Sequence, residues 1–416
     1  MIYLDHSATT PVDKKVLLAM RPYFSQKYGN PSSIHSFGQA ALAGVDKARA
    51  QAADFLGARP EEIIFTSGAT EANNLAIGGL VKALRKQGRK KIHIITSSVE
   101  HDAVLEPCRE LEAEGVEVTY LPVKTNGVVD IKKFKQALRP ETALVSIMYV
   151  NSEVGAIQPI REIGKIIKKT NERREREWAK RRPSERGKRP QPIYFHTDAT
   201  QAVNFLNCDV DWHYLDLLSL SGHKIYGPKG IGLLYRRQGV PLEPIARGGH
   251  QENNFRSGTL NVPGIVGLGA ALAALGKGEK GEPSAVQTKQ NKKIARLRDM
   301  LVDGIIKNIP DVILNTDRTQ STPSHAHFIF PGAEGEALLI SLDLAGIAVS
   351  TGSACASGSL KPSHVLLAMG IKQEIAHSSI RFTVGKYNTT EEIRTVIKKL
   401  PPIVAHLREM NPLYKK

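Results

Sequence analysis

The chain has 416 residues, 41% hydrophobic and 24% charged, an ordinary balance for a folded protein and too long for one small core. No apolar run reaches the roughly 18 residues of a membrane span, and Met1-Ile2-Tyr3-Leu4-Asp5-His6 has neither signal-peptide nor transit-peptide character, so a soluble, cytoplasmic protein without membrane contact is expected. The net charge of +16 raises nucleic acid as a partner, but Lys168–Arg189 alone carries eleven Lys/Arg against four Glu, which places +7 of the excess in one segment.

In chain order, strand-like runs fall at Ile63–Phe65, Ile92–Thr96, Val116–Leu121, Leu144–Val150, Ile193–Thr197, Leu215–Leu220 and Gly232–Tyr235. Helical patterns at Ala103–Glu114 and Ile131–Leu138 lie between them. Alternation of this kind predicts an α/β fold with a mostly parallel sheet covered on both faces. The basic stretch of about 169–192 reads as a solvated helix extension and loop, with RNA or partner contact as the second reading. Beyond residue 256 the texture changes. Gly264–Ala274 is rich in Gly and Ala, Gly276–Gln290 reads as an exposed connection, and a long helix is expected over Lys292–Asn308. Strand-like His327–Phe330 and Ile380–Val384 follow. The expected division is a large domain over 14–255 and a smaller α+β domain over 256–416, joined by the N-terminal segment 1–13.

Ligands in such sheets sit beyond the carboxyl ends of the strands, so the polar residues there carry the chemistry. Ser219-Leu220-Ser221-Gly222-His223-Lys224-Ile225-Tyr226-Gly227 runs from a strand into a glycine-rich turn bearing a lysine. An amine fixed in a cleft can form a Schiff base, and Ser221 and His223 can donate to a phosphate. Asp198 ends Tyr194-Phe195-His196-Thr197-Asp198, where a carboxylate can keep a pyridine nitrogen protonated, and Gln201 follows three residues on. Thr66-Ser67-Gly68-Ala69-Thr70 opens a helix whose N-terminus favours a phosphate, and its spacing is not that of a P-loop. His101 follows another strand and suits ring stacking and proton transfer.

Three cysteines with no CxxC spacing exclude a disulfide framework and a four-thiolate zinc site. Cys355 stands among small residues in Gly352-Ser353-Ala354-Cys355-Ala356-Ser357-Gly358, the setting of a reactive thiol rather than a core residue. Cys108 and Cys208 read as packing residues. Arg381, in strand-like Ser379-Ile380-Arg381-Phe382, offers a fork suited to a carboxylate.

Together these motifs, with Tyr3-Leu4-Asp5-His6-Ser7-Ala8-Thr9-Thr10-Pro11, Gly29-Asn30-Pro31-Ser32-Ser33 and Arg256-Ser257-Gly258-Thr259-Leu260, resemble the cysteine desulfurases of the housekeeping iron–sulfur-cluster type, class V aminotransferase relatives with pyridoxal phosphate and fold type I. The resemblance implies a seven-stranded, mostly parallel sheet between helices and a homodimer. It implies that Lys224 binds pyridoxal 5'-phosphate, Asp198 pairs with the ring nitrogen, Gln201 bonds the phenolic oxygen and His101 stacks on the ring. Ala69, Thr70, Ser221 and His223 would hold the phosphate with Thr259 of the other subunit, and Arg381 and Asn30 would bind substrate. Cys355 would take the sulfur of L-cysteine as a persulfide, leaving L-alanine, and pass it to an iron–sulfur scaffold protein or another acceptor, or toward tRNA thiolation. No resident metal is implied, and only Cys355 would meet an iron–sulfur cluster transiently.

Three departures stand out: Ser152 occupies the cofactor-side position of the family's usual second Asn in Asn-Asn-Glu, the stretch 169–192 resembles an insertion, and Lys361 replaces a common acidic residue. The rival readings are a selenocysteine lyase or other fold-type-I enzyme, and a catalytically impaired basic RNA- or partner-binding protein.

Overall fold

The computed structural model describes residues 1–181, 184, 189–351, 362–412 and 414. Cys355 and Lys361 lie outside the described residues. The strands are β1 (Ile2–Tyr3), β2 (Ile63–Thr66), β3 (His93–Ser97), β4 (Glu117–Leu121), β5 (Thr142–Ser146), β6 (Tyr194–Asp198), β7 (Leu217–Ser221), β8 (Gly232–Arg236), β9 (Ile313–Leu314), β10 (His325–Ile329), β11 (Ile347–Ala348) and β12 (Ser379–Thr383).

Seven of them form one sheet in the order β2-β8-β7-β6-β5-β3-β4. Only β8 runs against the rest. Every residue of β2, β3, β5 and β7 is buried, as strands covered on both faces require. One apolar core fills one face, with Val45 and Ala48 of helix Ser36–Leu56. A second core on the other face holds Leu75, Leu80 and Val104. The expected run Leu144–Val150 is strand only to Ser146, because the Met148 N–H turns to the buried carboxyl of Glu100 at 2.9 and 3.0 Å.

Helix Val262–Leu275 packs into the first core, through Ile265, Leu268 and Leu272. Its glycines permit this: a Cβ on Gly269 would sit 2.6 Å from the Ala48 Cα of helix Ser36–Leu56. This helix, beyond the expected 255/256 boundary, thus shares its core with the large sheet. The helix expected from Lys292 starts at Ala285, where Ser284 and Gln287 form a capping box. Gln287 is buried and donates to the Val203 and Leu206 carbonyls, so the end of the expected connection is anchored.

A third core joins β10, at the centre of the antiparallel sheet β12-β10-β9, to helices Ala285–Asn308, Gly335–Leu344 and Thr390–Met410. The N-terminal segment belongs here: β1 pairs in parallel with β11, Leu4 is fully buried in this core, and the Thr383 N–H donates to the Leu4 carbonyl at 2.7 Å. The basic stretch begins as the exposed end of helix Ile160–Lys180, where Asn171 holds both backbone groups of Ile193 at 2.9 and 3.0 Å. No helix among the described residues is long and apolar enough to cross a membrane.

Candidate active site

The site lies at the carboxyl ends of β2, β3, β5, β6 and β7. Chain order reverses between β3 and β5, with β4 outside β3 and β5 inside it, the kind of switch point beside which open α/β sheets hold ligands. The turn after β7, Gly222–Lys224, is a single 3₁₀ turn that returns Lys224 to the mouth of the sheet. Its Nζ donates to the carbonyls of Ser7 and Ala8, both at 2.6 Å. Gln201 Nε2 donates to the same Ser7 carbonyl at 2.9 Å. Gln201 and Lys224 also line one small cavity with His6, Thr10 and His325. The amine and the amide, 23 residues apart in sequence, therefore meet on the N-terminal segment.

Asp198 closes β6 beside β7, in register with Ser219. The carboxylate is buried, with Oδ1 accepting from the Thr200 N–H at 2.9 Å and Oδ2 from Asn73 Nδ2 at 2.7 Å. Asn73 lies one turn into helix Ala69–Asn74, so this bond ties that helix to the end of β6. Gly232 of β8 pairs with both Thr66 and Ser221, which brings the helix start beside Ser221. A Cβ on Gly232 would meet the Leu220 carbonyl at 2.5 Å, so only glycine allows this approach. A Cβ on Gly68 would find only Ser221 Oγ, at 3.9 Å, leaving open space at the helix N-terminus. The first N–H groups of a helix lack intrahelical partners and suit an anion. Ala69 is half-buried and Thr70 exposed at this end. Arg256 Nε donates to Glu71 Oε1 at 2.9 Å, and Thr259 stands exposed three residues on.

His223 Nδ1 lies 3.2 Å from Thr9 Oγ1. Burial, then the charges of Lys224 and Lys229, push its imidazole down to about 4, so it is neutral at pH 7. His101 caps helix Asp102–Ala113, its Nδ1 accepting from the Ala103 N–H at 3.0 Å. Beside it, Glu100 is buried with Oε1 accepting from Ser97 Oγ at 2.5 Å, and burial raises its carboxyl to about 8.

Ser152 is half-buried, and its carbonyl gathers three donors: Ser7 Oγ at 2.8 Å, Arg381 Nη1 at 3.0 Å and His325 Nε2 at 3.3 Å. Arg381 is almost fully buried on β12 and also donates from Nη2 to Asp5 Oδ1 at 2.9 Å. The expected fork is thus engaged by Asp5 and Ser152, while its Nε has no hydrogen-bond partner among the described residues. Asn30 is exposed, with its Oδ1 accepting from the Ser32 N–H at 3.0 Å. The structure brings together Lys224, Gln201, Ser152 and Arg381 around Ser7, and Asp198 and Ser221 around helix Ala69–Asn74. No bond joins Asn30 or Thr259 to these groups. Cys355 is outside the described residues, and Cys108 and Cys208 are buried as expected.

Several partners were not evident from the motifs. Asn73 had a signal, since it follows Thr70 by one helical turn. The Ser7 and Ala8 acceptors had none, because a backbone carbonyl leaves no trace in the residue alphabet.

The class V aminotransferase family matches residues 2–173 and 184–396. The chain is 46% identical over 412 residues to a protein named cysteine desulfurase IscS from Dictyoglomus turgidum, covering 99% of this chain and 96% of that one. Among solved structures it is similar to a NifS-like protein, with a TM-score of 0.85 and 36% identity, over 97% of this chain and 99% of the other. It is also similar to SspA in complex with cysteine, with a TM-score of 0.75 and 36% identity, over 94% and 100%. With the whole fold and sequence so matched, the chain belongs to the class V aminotransferases and, among them, to the pyridoxal-phosphate-dependent cysteine desulfurases.

Proposed function

We propose that the protein binds pyridoxal 5'-phosphate, converts L-cysteine to L-alanine, and passes the sulfur from a Cys355 persulfide to acceptors in iron–sulfur cluster assembly or tRNA thiolation. The observation that carries this reading is the meeting of Lys224 and Gln201 at the Ser7 carbonyl, with Asp198 fixed three residues before Gln201. The residues present fit the cofactor. Lys224 supplies the amine for a Schiff base, and Asp198 supplies a carboxylate for the ring nitrogen. The open helix N-terminus at Ala69 and Thr70, with Ser221 and the neutral His223 as donors, suits the phosphate. Thr259 would complete that set from the second copy, His101 would cover the ring, and Ser152 would stand near its oxygen.

Bound there, the cofactor withdraws electrons from the substrate's α and β carbons. Lys224 and His101 move protons to and from those carbons. Arg381, backed by Asp5, holds the substrate carboxylate, with Asn30 at the entrance. Cys355 attacks the substrate sulfur: an S–S bond forms, the C–S bond breaks, and the carbon takes a proton to become alanine. The exposed apolar residues Leu17, Leu18, Phe24, Tyr28, Ile34 and Phe37, clustered in sequence, support a homodimer.

The test adds cysteine and a reductant to the protein loaded with pyridoxal phosphate and measures alanine and sulfide together. Wild type is expected to release both in equal amounts, Lys224→Ala neither, and Cys355→Ala no sulfide above background. Ser152→Asn is expected to raise turnover if the shorter side chain limits it. Full sulfide release by Cys355→Ala would end the persulfide route, and no alanine from wild type would end the reading.

A further inference from the structure

Two strand-end turns carry the ring-side groups: residues 98–101 after β3, ending in His101, and residues 151–155 beyond β5, holding Ser152. One short element of the small domain touches both. Helix His364–Ala368 begins at Ser363, nine residues or fewer from Cys355 in sequence, and is capped by Ser363 Oγ, which accepts from the Val365 and Leu366 N–H groups at 3.1 and 3.2 Å. The same hydroxyl donates its proton to Glu153 Oε2 at 2.5 Å, and Glu153 is the neighbour of Ser152. The next residue, His364, donates from Nε2 to the carbonyl of Glu100 at 2.9 Å, and that carbonyl belongs to the peptide leading into His101.

The surroundings favour a fixed joint over a chance contact. Val365 and Leu366 of the helix and its C-cap Met369 pack in a separate apolar cluster with Val99 and Val154, which lie inside the two turns, and with Met148 just before the second. The turns are also braced to one another, because Glu100 accepts from Ser97 Oγ and from the Met148 N–H. Asn151 Nδ2 donates to the Val99 carbonyl at 3.1 Å, and its Oδ1 accepts from the Glu153 and Val154 N–H groups. Each polar link from the helix therefore ends within one residue of a ring-side group, one on the Glu100 carbonyl and the other on the Glu153 side-chain carboxyl.

We propose that Ser363 and His364 are positioning residues of the desulfurase reaction, through which the small domain sets where His101 and Ser152 stand. The inference rests on the desulfurase reading. Neither side chain reaches substrate or cofactor; His364 acts through the Glu100 backbone and Ser363 through the Glu153 side chain. His364 governs the imidazole over the ring, and Ser363 governs the turn whose carbonyl meets Arg381. A displacement of about 1 Å at a reacting group can cost on the order of a hundredfold in rate.

The experiment compares wild type, His364→Phe, His364→Gln and Ser363→Ala, all loaded with pyridoxal phosphate. It measures kcat and KM for cysteine, the visible circular dichroism of the bound cofactor, and the thermal midpoint. His364→Phe keeps the ring's bulk and loses the donor; it is expected to lower kcat about tenfold and to change the visible dichroism, with a midpoint near that of wild type. His364→Gln places an N–H at a similar reach and is expected to restore both. Ser363→Ala, informative also if the Phe variant does not fold, is expected to raise KM several-fold. Folded His364→Phe with wild-type kcat and dichroism, equal impairment of the Phe and Gln variants, or an unchanged KM in Ser363→Ala would overturn the inference. An inactive wild type would instead remove the desulfurase reading on which it rests.

Discussion

The buried acid beside His101 gives a residue-scale prediction whose sign is set by burial. Glu100 has its carboxyl raised to about 8 in the folded chain, against an ordinary 4.5 when exposed. Between these values the folded state holds a proton that the unfolded state has released, so this group's contribution to stability falls as pH rises from about 4.5 to 8. Glu100→Gln, which cannot ionise, is expected to gain in thermal midpoint relative to wild type across that window; parallel curves would show the carboxyl to be ionised when folded. The cysteines divide by the same logic. Burial pushes Cys108 up to about 12 and Cys208 higher still, so neither supplies thiolate at neutral pH. Native protein is expected to react with one equivalent of a disulfide reagent, at Cys355, and denatured protein with three.

Among the elements, helix His364–Ala368 is too short to persist by its own backbone bonds and depends on its apolar seat. Leu366 is fully buried there, and Leu366→Ala is expected to cost about 2–5 kcal/mol in denaturant unfolding. A loss below 1 kcal/mol would mean that the cluster does not hold the helix. The regular elements were well marked in the sequence, because buried parallel strands such as Leu217–Ser221 must be apolar throughout. The errors have local causes. Met148 leaves the ladder for a side chain that pattern cannot locate, and Ala285 starts its helix through a capping box hidden behind a Gly- and Lys-rich stretch. The Gly/Ala texture of Val262–Leu275 was visible, but its partner, helix Ser36–Leu56, lies over 200 residues earlier. At the site, Lys224, Asp198 and Gln201 were legible because strand ends mark them. The Asp5 grip on Arg381 was not, since it joins the two ends of the chain.

For the whole molecule, the exposed side chains between Leu17 and Phe37 set the test of assembly. Ile34 is 94% exposed, and Phe24 and Tyr28 are each 64% exposed. Exposed apolar surface of this kind is characteristic of contacts with another chain, which is where the proposed homodimer interface is tested. If the proposed homodimer forms through them, Ile34→Asp combined with Phe37→Asp is expected to shift the mass seen by light scattering from dimer to monomer and, with Thr259 of the second copy in its proposed role, to weaken retention of pyridoxal phosphate. A dimer that survives both changes would place the interface elsewhere.

The N-terminal strap has a consequence for how the protein is made. The large sheet is complete once Arg236 has been synthesised, and Lys224 is already in its turn. The carbonyls that receive its amine belong to a segment held by Ile347, Ala348 and Thr383, which are synthesised more than 100 residues after Arg236. Before they are made, the segment has only its bonds to earlier residues, such as the His223 carbonyl that accepts from the Thr10 N–H and the Gln201 amide that donates to the Ser7 carbonyl. The seat of the Lys224 amine is therefore expected to take its final form only after the sheet has been made.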